Sequence, residues 1–247
     1  MILSFTLLLV VTFLSGLIVY LIPKWKGEQF NLVLIFSGSY LFGITVVHIL
    51  PELFDQPTSR GLVGSLILAG FFFQIFLEYF TSGVEHGHVH SHNHKQSHTL
   101  TTSVSMLIAL CLHSFMEGTL LAHPSTIHAH HESNALLVGI LIHKIPASFA
   151  LMSIVTCHFK TLTRPLLFLF LFSIASPLGL LVSDSLVHEE IISPFVYVIL
   201  FAIVSGSFLK ISTTIFFESN PEHKFGLKKI IVSCLGAAIA LLADSFL

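Results

Sequence analysis

A chain of 247 residues with 54% hydrophobic and only 10% charged side chains has too few charges for a water-soluble globular domain, in which about a quarter of the residues are charged. Its mean hydropathy of +0.90 points to an all-α integral membrane protein, with the lipid bilayer as its first partner. A formal net charge of −2 and the lack of any basic cluster exclude nucleic acid as a second partner.

Eight apolar segments follow one another, each long enough to cross about 30 Å of hydrocarbon as a helix. They run Ile2–Ile22, Asn31–Leu50, Leu62–Phe80, Thr101–Ala122, Ala135–Cys157, Pro165–Val182, Ile191–Phe217 and Leu227–Ala243. The first lacks a basic leader and an A-x-A site and is followed by Lys24 and Lys26, so it reads as a retained span and not a signal peptide. The second ends in "HILPELF", where His48 and Glu52 stand one helical turn apart. They are placed either to capture a metal at the mouth or simply to form a polar pair at a helix end. Glu78 in the third span and Lys210 in the seventh lie close enough to their helix ends to snorkel to the interface.

Between spans three and four, residues 83–100 form a loop carrying "EHGHVHSHNHKQSH". Alternation of His with Gly, Ser and Asn cannot bury a core and is expected to stay disordered. His86, His88, His90, His92, His94 and His98 make it a loose metal-gathering tract; the plain alternative is a polar linker. Apart from this loop, residues 1–247 read as one transmembrane domain. Cys111, Cys157 and Cys234 fall in apolar runs without CxxC spacing and are expected to be small core residues.

Cation placement gives the orientation. Loops 1–2, 3–4, 5–6 and 7–8 hold Lys24, Lys26, Lys95, Lys160, Arg164, Lys224, Lys228 and Lys229. The opposite loops hold Arg60 among Asp55, Glu132, Asp184, Glu189 and Glu190. Both termini are therefore expected outside, with the His-rich loop in the cytosol.

An ionisable group at bilayer depth costs several kcal/mol unless paired, so each one demands a reason. In span four, "HSFMEG" sets His113 and Glu117 on one helical face with Ser114 beside them. In span five, "HKIPA" places His143 and Lys144. Counted from the helix ends at about 1.5 Å per residue, His113 and His143 both lie about 12 Å below the outer boundary. Two antiparallel helices would then present nitrogen, carboxylate and nitrogen at one level, a donor set suited to a zinc-class divalent ion. Pro146 and Pro177 lack an N–H, which frees the carbonyls of Ile142 and Ser173 at similar depth, as in helices that line a polar cavity. The bland alternative is a buried Glu117–Lys144 ion pair with His113 as a core histidine. Outside, His123, His128, His130 and His131 between spans four and five could collect metal.

These motifs resemble the ZIP (Zrt/Irt-like) family of divalent-metal transporters. The resemblance rests on "HILPELF", "HSFMEG", "HKIPASFAL", "ASPLGLLVS" and "SGSFLKIS" in this order, with the His-rich loop after span three. It implies a ZIP-like bundle of eight transmembrane helices with both termini extracytoplasmic, in which spans four and five sit between two inverted three-helix halves. It further implies transport of zinc, or iron, into the cytosol as substrate, with no cofactor and no enzymatic activity. His113, Glu117 and His143 match the family's primary metal site, and Ser114 its polar neighbour. Many relatives carry a carboxylate one turn after the fifth-span ligand, where this chain has Ala147, and a polar or acidic ligand where it has Lys144. A single transport site with Lys144 in the place of a second metal is therefore expected. The rivals are an intramembrane zinc-dependent hydrolase and a metal sensor without flux. The first is disfavoured because Lys144 and Ala147 replace the base and second ligand of HExxH. The expected location is a plasma membrane or a bacterial inner membrane, and a homodimer is left open.

Overall fold

The computed structural model describes residues 1–21, 28–81, 100–122, 133–159, 161–189, 191, 193–218 and 226–246. The histidine tract, His123, His128, His130 and His131, and Lys24, Lys26, Lys95, Lys160, Lys224, Glu132 and Glu190 lie outside the described residues. Among those described, all regular structure is helical. The helices are α1 (Ile2–Leu21), α2 (Glu28–Ile44), α3 (Leu50–Asp55), α4 (Arg60–Thr81), α5 (Leu100–Thr119), α6 (Ser133–His158), α7 (Thr163–His188), α8 (Pro194–Glu218) and α9 (Leu227–Phe246). This is what hydrocarbon demands, since a helix satisfies its own backbone groups without water. Five stretches are long and apolar enough to cross a membrane: Glu28–Asp55, Arg60–Tyr79, Asn134–His158, Thr163–His188 and Pro194–Phe216. Ile2–Ile18 and Ser103–Thr119 are shorter apolar helices. Large exposed side chains such as Leu68, Phe72 and Phe76 on α4 and Ile231, Leu235 and Leu242 on α9 form an apolar outer surface suited to lipid.

Three helix ends differ from expectation. Span two does not stop at Leu50: a π-helical turn over Thr45–Ile49 joins α2 to α3, and the helix runs on to Asp55. Pro51 lies inside this continuation although it cannot donate to the carbonyl four residues back. The π turn widens the coil just before it, with the Leu50 N–H bonding the carbonyl of Thr45 five residues back. The sixth span continues to His188 and the seventh begins at Pro194, a favoured residue at a helix start.

Close backbone contacts pair the helices. A Cβ on Gly118 of α5 would meet the Ser176 carbonyl oxygen at 2.0 Å, and one on Gly179 of α7 would meet that of Phe115 at 2.0 Å. Gly70 of α4 and Gly206 of α8 are equally tight against the carbonyls of Ile203 and Ile67, at 1.8 and 1.9 Å. Such small-residue seams are how membrane helices approach closely. The partners run parallel: contacts along α4 and α8 go from Gly70–Ile203 to Glu78–Lys210. The early residues Met106 and Leu110 of α5 share a core with Phe168 and Phe172 of α7, whereas Leu120 shares one with Leu180. The same holds for α2 and α9, where Gly43 faces Ala240, Gly236 faces Phe36 and Lys228 pairs with Glu28 at 3.2 Å. The helices thereby gather into two sets, α1 with α5, α6 and α7, and α2/α3 with α4, α8 and α9, which meet where α6 packs on α2 and α5 on α4.

Glu78 and Lys210 do not snorkel. They form an ion pair across the α4–α8 seam, 14% and 13% exposed, with Lys210 also bonded to Thr214. The cysteines also depart from expectation: Cys111 is half-buried, and Cys157 and Cys234 are exposed, all three as free thiols.

Two apolar cores divide α5, α6 and α7 along their length. One holds Leu120, Leu136, Ile140 and Leu180; the other holds Met106, Leu110, Ala147, Leu151, Val155 and Phe172. The polar residues of the fourth, fifth and sixth spans lie in the layer between them. Tyr40 of α2 and Tyr197 of α8 hold the ends of α6 and α5 by donating to the carbonyls of Ala135 and Leu120, at 3.0 and 3.1 Å. The Tyr40 ring lies where Gly139 leaves room for it, 3.0 Å from where a Cβ would sit.

Candidate metal centre

Helical geometry builds most of the centre. His113 and Glu117 are four residues apart on α5, so both side chains leave the same face, and the imidazole Nε2 lies 3.1 Å from Glu117 Oε1. α6 runs beside α5 and delivers His143 to the same level. Its ring packs edge-on to that of His113, with centroids 6.1 Å apart and planes at 89°. One donor atom from each of His113, Glu117 and His143 lies within 4.8 Å of the others. Donors arranged tetrahedrally around a zinc-class ion at about 2.1 Å stand about 3.4 Å apart. Small rotations about the side-chain bonds therefore suffice to close the three around one ion. Among the described residues this is the one group of three His, Cys or acidic side chains so placed.

The layer is buried. His113, Glu117, His143 and Lys144 are 4%, 0%, 2% and 1% exposed. An apolar core lies on either side of it along the helices.

The Glu117–Lys144 ion pair is present beside the His113, Glu117, His143 group. A carboxylate has two oxygens, and here they have separate partners. Glu117 Oε1 faces His113, while Oε2 takes the ammonium of Lys144. Lys144 is held on every side: Nζ also donates to Ser114 Oγ, and it lies 5.1 Å from the centre of the Phe172 ring, within cation–π range. Ser114 Oγ donates in turn to Ser176 Oγ at 3.3 Å, and Ser176 Oγ donates to the Ser114 carbonyl at 2.6 Å. Ser148 donates to the Lys144 carbonyl and touches Ser15 Oγ of α1 at 2.7 Å.

Phe172, Ser176, Ser148 and Ser15 carried no signal of their own in the sequence. The only hint was "SPLG", which places Ser176 beside Pro177 and Gly179, where α7 closes on α5. α6 and α7 both continue as helix through Pro146 and Pro177.

His48 and Glu52 lie apart from this group. His48 sits inside the π turn, its Nε2 3.8 Å from Glu52 Oε2, and each side chain is 13% exposed. They form a pair near the end of span two and join no three-residue group among the described residues.

A sequence model of the ZIP zinc transporter family matches residues 85–244, roughly two thirds of the chain. The chain belongs to the ZIP zinc transporter family. It is thus a multi-pass membrane protein of a metal-transporting family, and the match contains every residue of the His113, Glu117, His143 and Lys144 layer. α1 to α4 precede the matched region. Comparison with curated proteins finds no match.

Proposed function

We propose that this ZIP protein carries a divalent metal ion, zinc before iron, into the cytosol through one intramembrane site made by His113, Glu117 and His143. The observation that carries the proposal is the meeting of two imidazoles and a carboxylate within 4.8 Å in a layer flanked by apolar cores. Burial of these groups at membrane depth is tolerable when a cation compensates them. Three mixed donors hold such an ion firmly enough to strip its water, and loosely enough to release it.

Eight crossings with both ends outside fit the packing. The parallel pairs α2 with α9, α4 with α8 and α5 with α7 join spans two and eight, three and seven, and four and six. Each pair differs by an even number, as strict up-and-down threading requires. The cation bias of the loops then sets the cytosolic side. Metal gathers at the outer face, passes His48 and Glu52, and exchanges its water for the three ligands. Movement of the helices opens the site inward, where the histidine tract receives the ion. In place of a second metal the site holds Lys144.

Purified protein in liposomes loaded with a zinc-sensing dye tests this directly. A transporter fills the vesicles; a hydrolase or a sensor leaves the dye dark. Only neutral imidazole ligates a metal, so uptake is expected to fall as the outer medium is acidified below about pH 6. Undiminished uptake at about pH 5 would rule out direct histidine ligation.

A further inference from the structure

We propose that Lys144 determines which ion the site accepts, by withholding two oxygen donors from it. The inference rests on the transport site proposed above and concerns its selectivity. Glu117 could offer a metal both carboxylate oxygens, and Ser114 could offer its hydroxyl. Lys144 holds Glu117 Oε2 and Ser114 Oγ together through one ammonium group. What remains is one atom each from His113, Glu117 and His143, a set of two nitrogens and one oxygen.

The burial of the layer gives this count its consequence. A four-coordinate ion of the zinc class needs one further ligand, a single water. A hard octahedral ion such as Mn2+ needs three more and prefers them to be oxygen. Two such oxygens stand in the same layer, and Lys144 holds both. Lys144 itself cannot swing aside. It is 1% exposed, lies against the Phe172 ring, and its carbonyl is tied by Ser148 to Ser15 of α1. It thus acts as a filter on coordination number and does not touch the ion.

The test measures binding, independently of flux. Wild-type protein in detergent is titrated with Zn2+ and with Mn2+ and compared with Lys144→Met, which keeps the apolar stem but loses the ammonium, and with Lys144→Gln, whose amide still donates to Oε2. Lys144→Met is expected to bind Mn2+ at least about tenfold tighter than wild type, a change of about 1.4 kcal/mol, with Zn2+ changed far less. Lys144→Gln is expected to stay near the wild-type ratio. Unchanged Mn2+ affinity in a Lys144→Met protein that still binds Zn2+ overturns the inference and leaves the transport site standing. Wild-type protein that binds no Zn2+ overturns both. X-ray absorption of the zinc-loaded wild type needs no variant: four donors, two of them imidazole, are expected. Five or six donors, with both Glu117 oxygens on the metal, would refute the filter.

Discussion

His143→Gln is expected to lower zinc uptake about a hundredfold or more while leaving the metal-free protein nearly as stable as wild type. The first effect follows from the loss of one of three ligands, since even the outer partners of a metal site are worth about ten- to a hundredfold in affinity. The second follows from the division of Glu117. Its bond to Lys144 and the Ser114–Ser176 chain remain when His143 is gone, so the buried charges stay compensated. Saturating zinc adds about 2.7 kcal/mol to the stability of a protein that binds it at a hundred times the dissociation constant, and this gain should vanish in the variant. Thermal unfolding with and without zinc, beside liposome uptake, separates the effects. Unfolding of the metal-free variant at a much lower temperature, with a zinc-dependent gain intact, would mean that His143 is a structural residue.

Gly179→Leu is expected to be the most damaging single change outside the metal centre. Its Cβ would stand 2.0 Å from the Phe115 carbonyl oxygen and 3.2 Å from the Thr119 N–H nitrogen. Both are backbone atoms of α5 and cannot turn away. α5 and α7 would have to separate by more than 1 Å to reach an ordinary contact, at a cost of about 3 kcal/mol, the upper end of usual overpacking. α5 carries His113, Ser114 and Glu117, and α7 carries Phe172 and Ser176, so the separation also dismantles the polar layer. Gly64→Ala is the control. A Cβ there meets nothing within 4 Å, and the exchange should gain up to about 1 kcal/mol of helix propensity. Denaturation in graded detergent mixtures would rank the two, and a Gly179→Leu protein as stable as wild type would contradict the packing.

Much of this centre could be read from spacing alone. Residues four apart on a helix share a face, which put His113 beside Glu117, and a rise of about 1.5 Å per residue set His143 at their depth. What spacing could not resolve was the fate of Lys144. The Glu117–Lys144 ion pair stood as the alternative to a His113, Glu117, His143 group, whereas the two carboxylate oxygens face separate partners, His113 and Lys144. Phe172 and Ser176 were illegible because helical periodicity tells which residues face inward, and says nothing of which helix stands opposite. The end of span two differs because a π turn over Thr45–Ile49, which apolar spacing does not announce, carries the helix on past Pro51. Cys157 and Cys234 were misplaced for a different reason. In a membrane the outside is apolar too, so apolar neighbours do not predict burial.

The central claim is that His113, Glu117 and His143 close on one ion beside Lys144. Anomalous scattering at the zinc edge from zinc-soaked crystals tests it most directly. A single strong peak is expected within about 2.3 Å of one donor atom from each of the three side chains. Two adjacent ions at full occupancy, or a peak outside this layer with none inside it, would contradict the account.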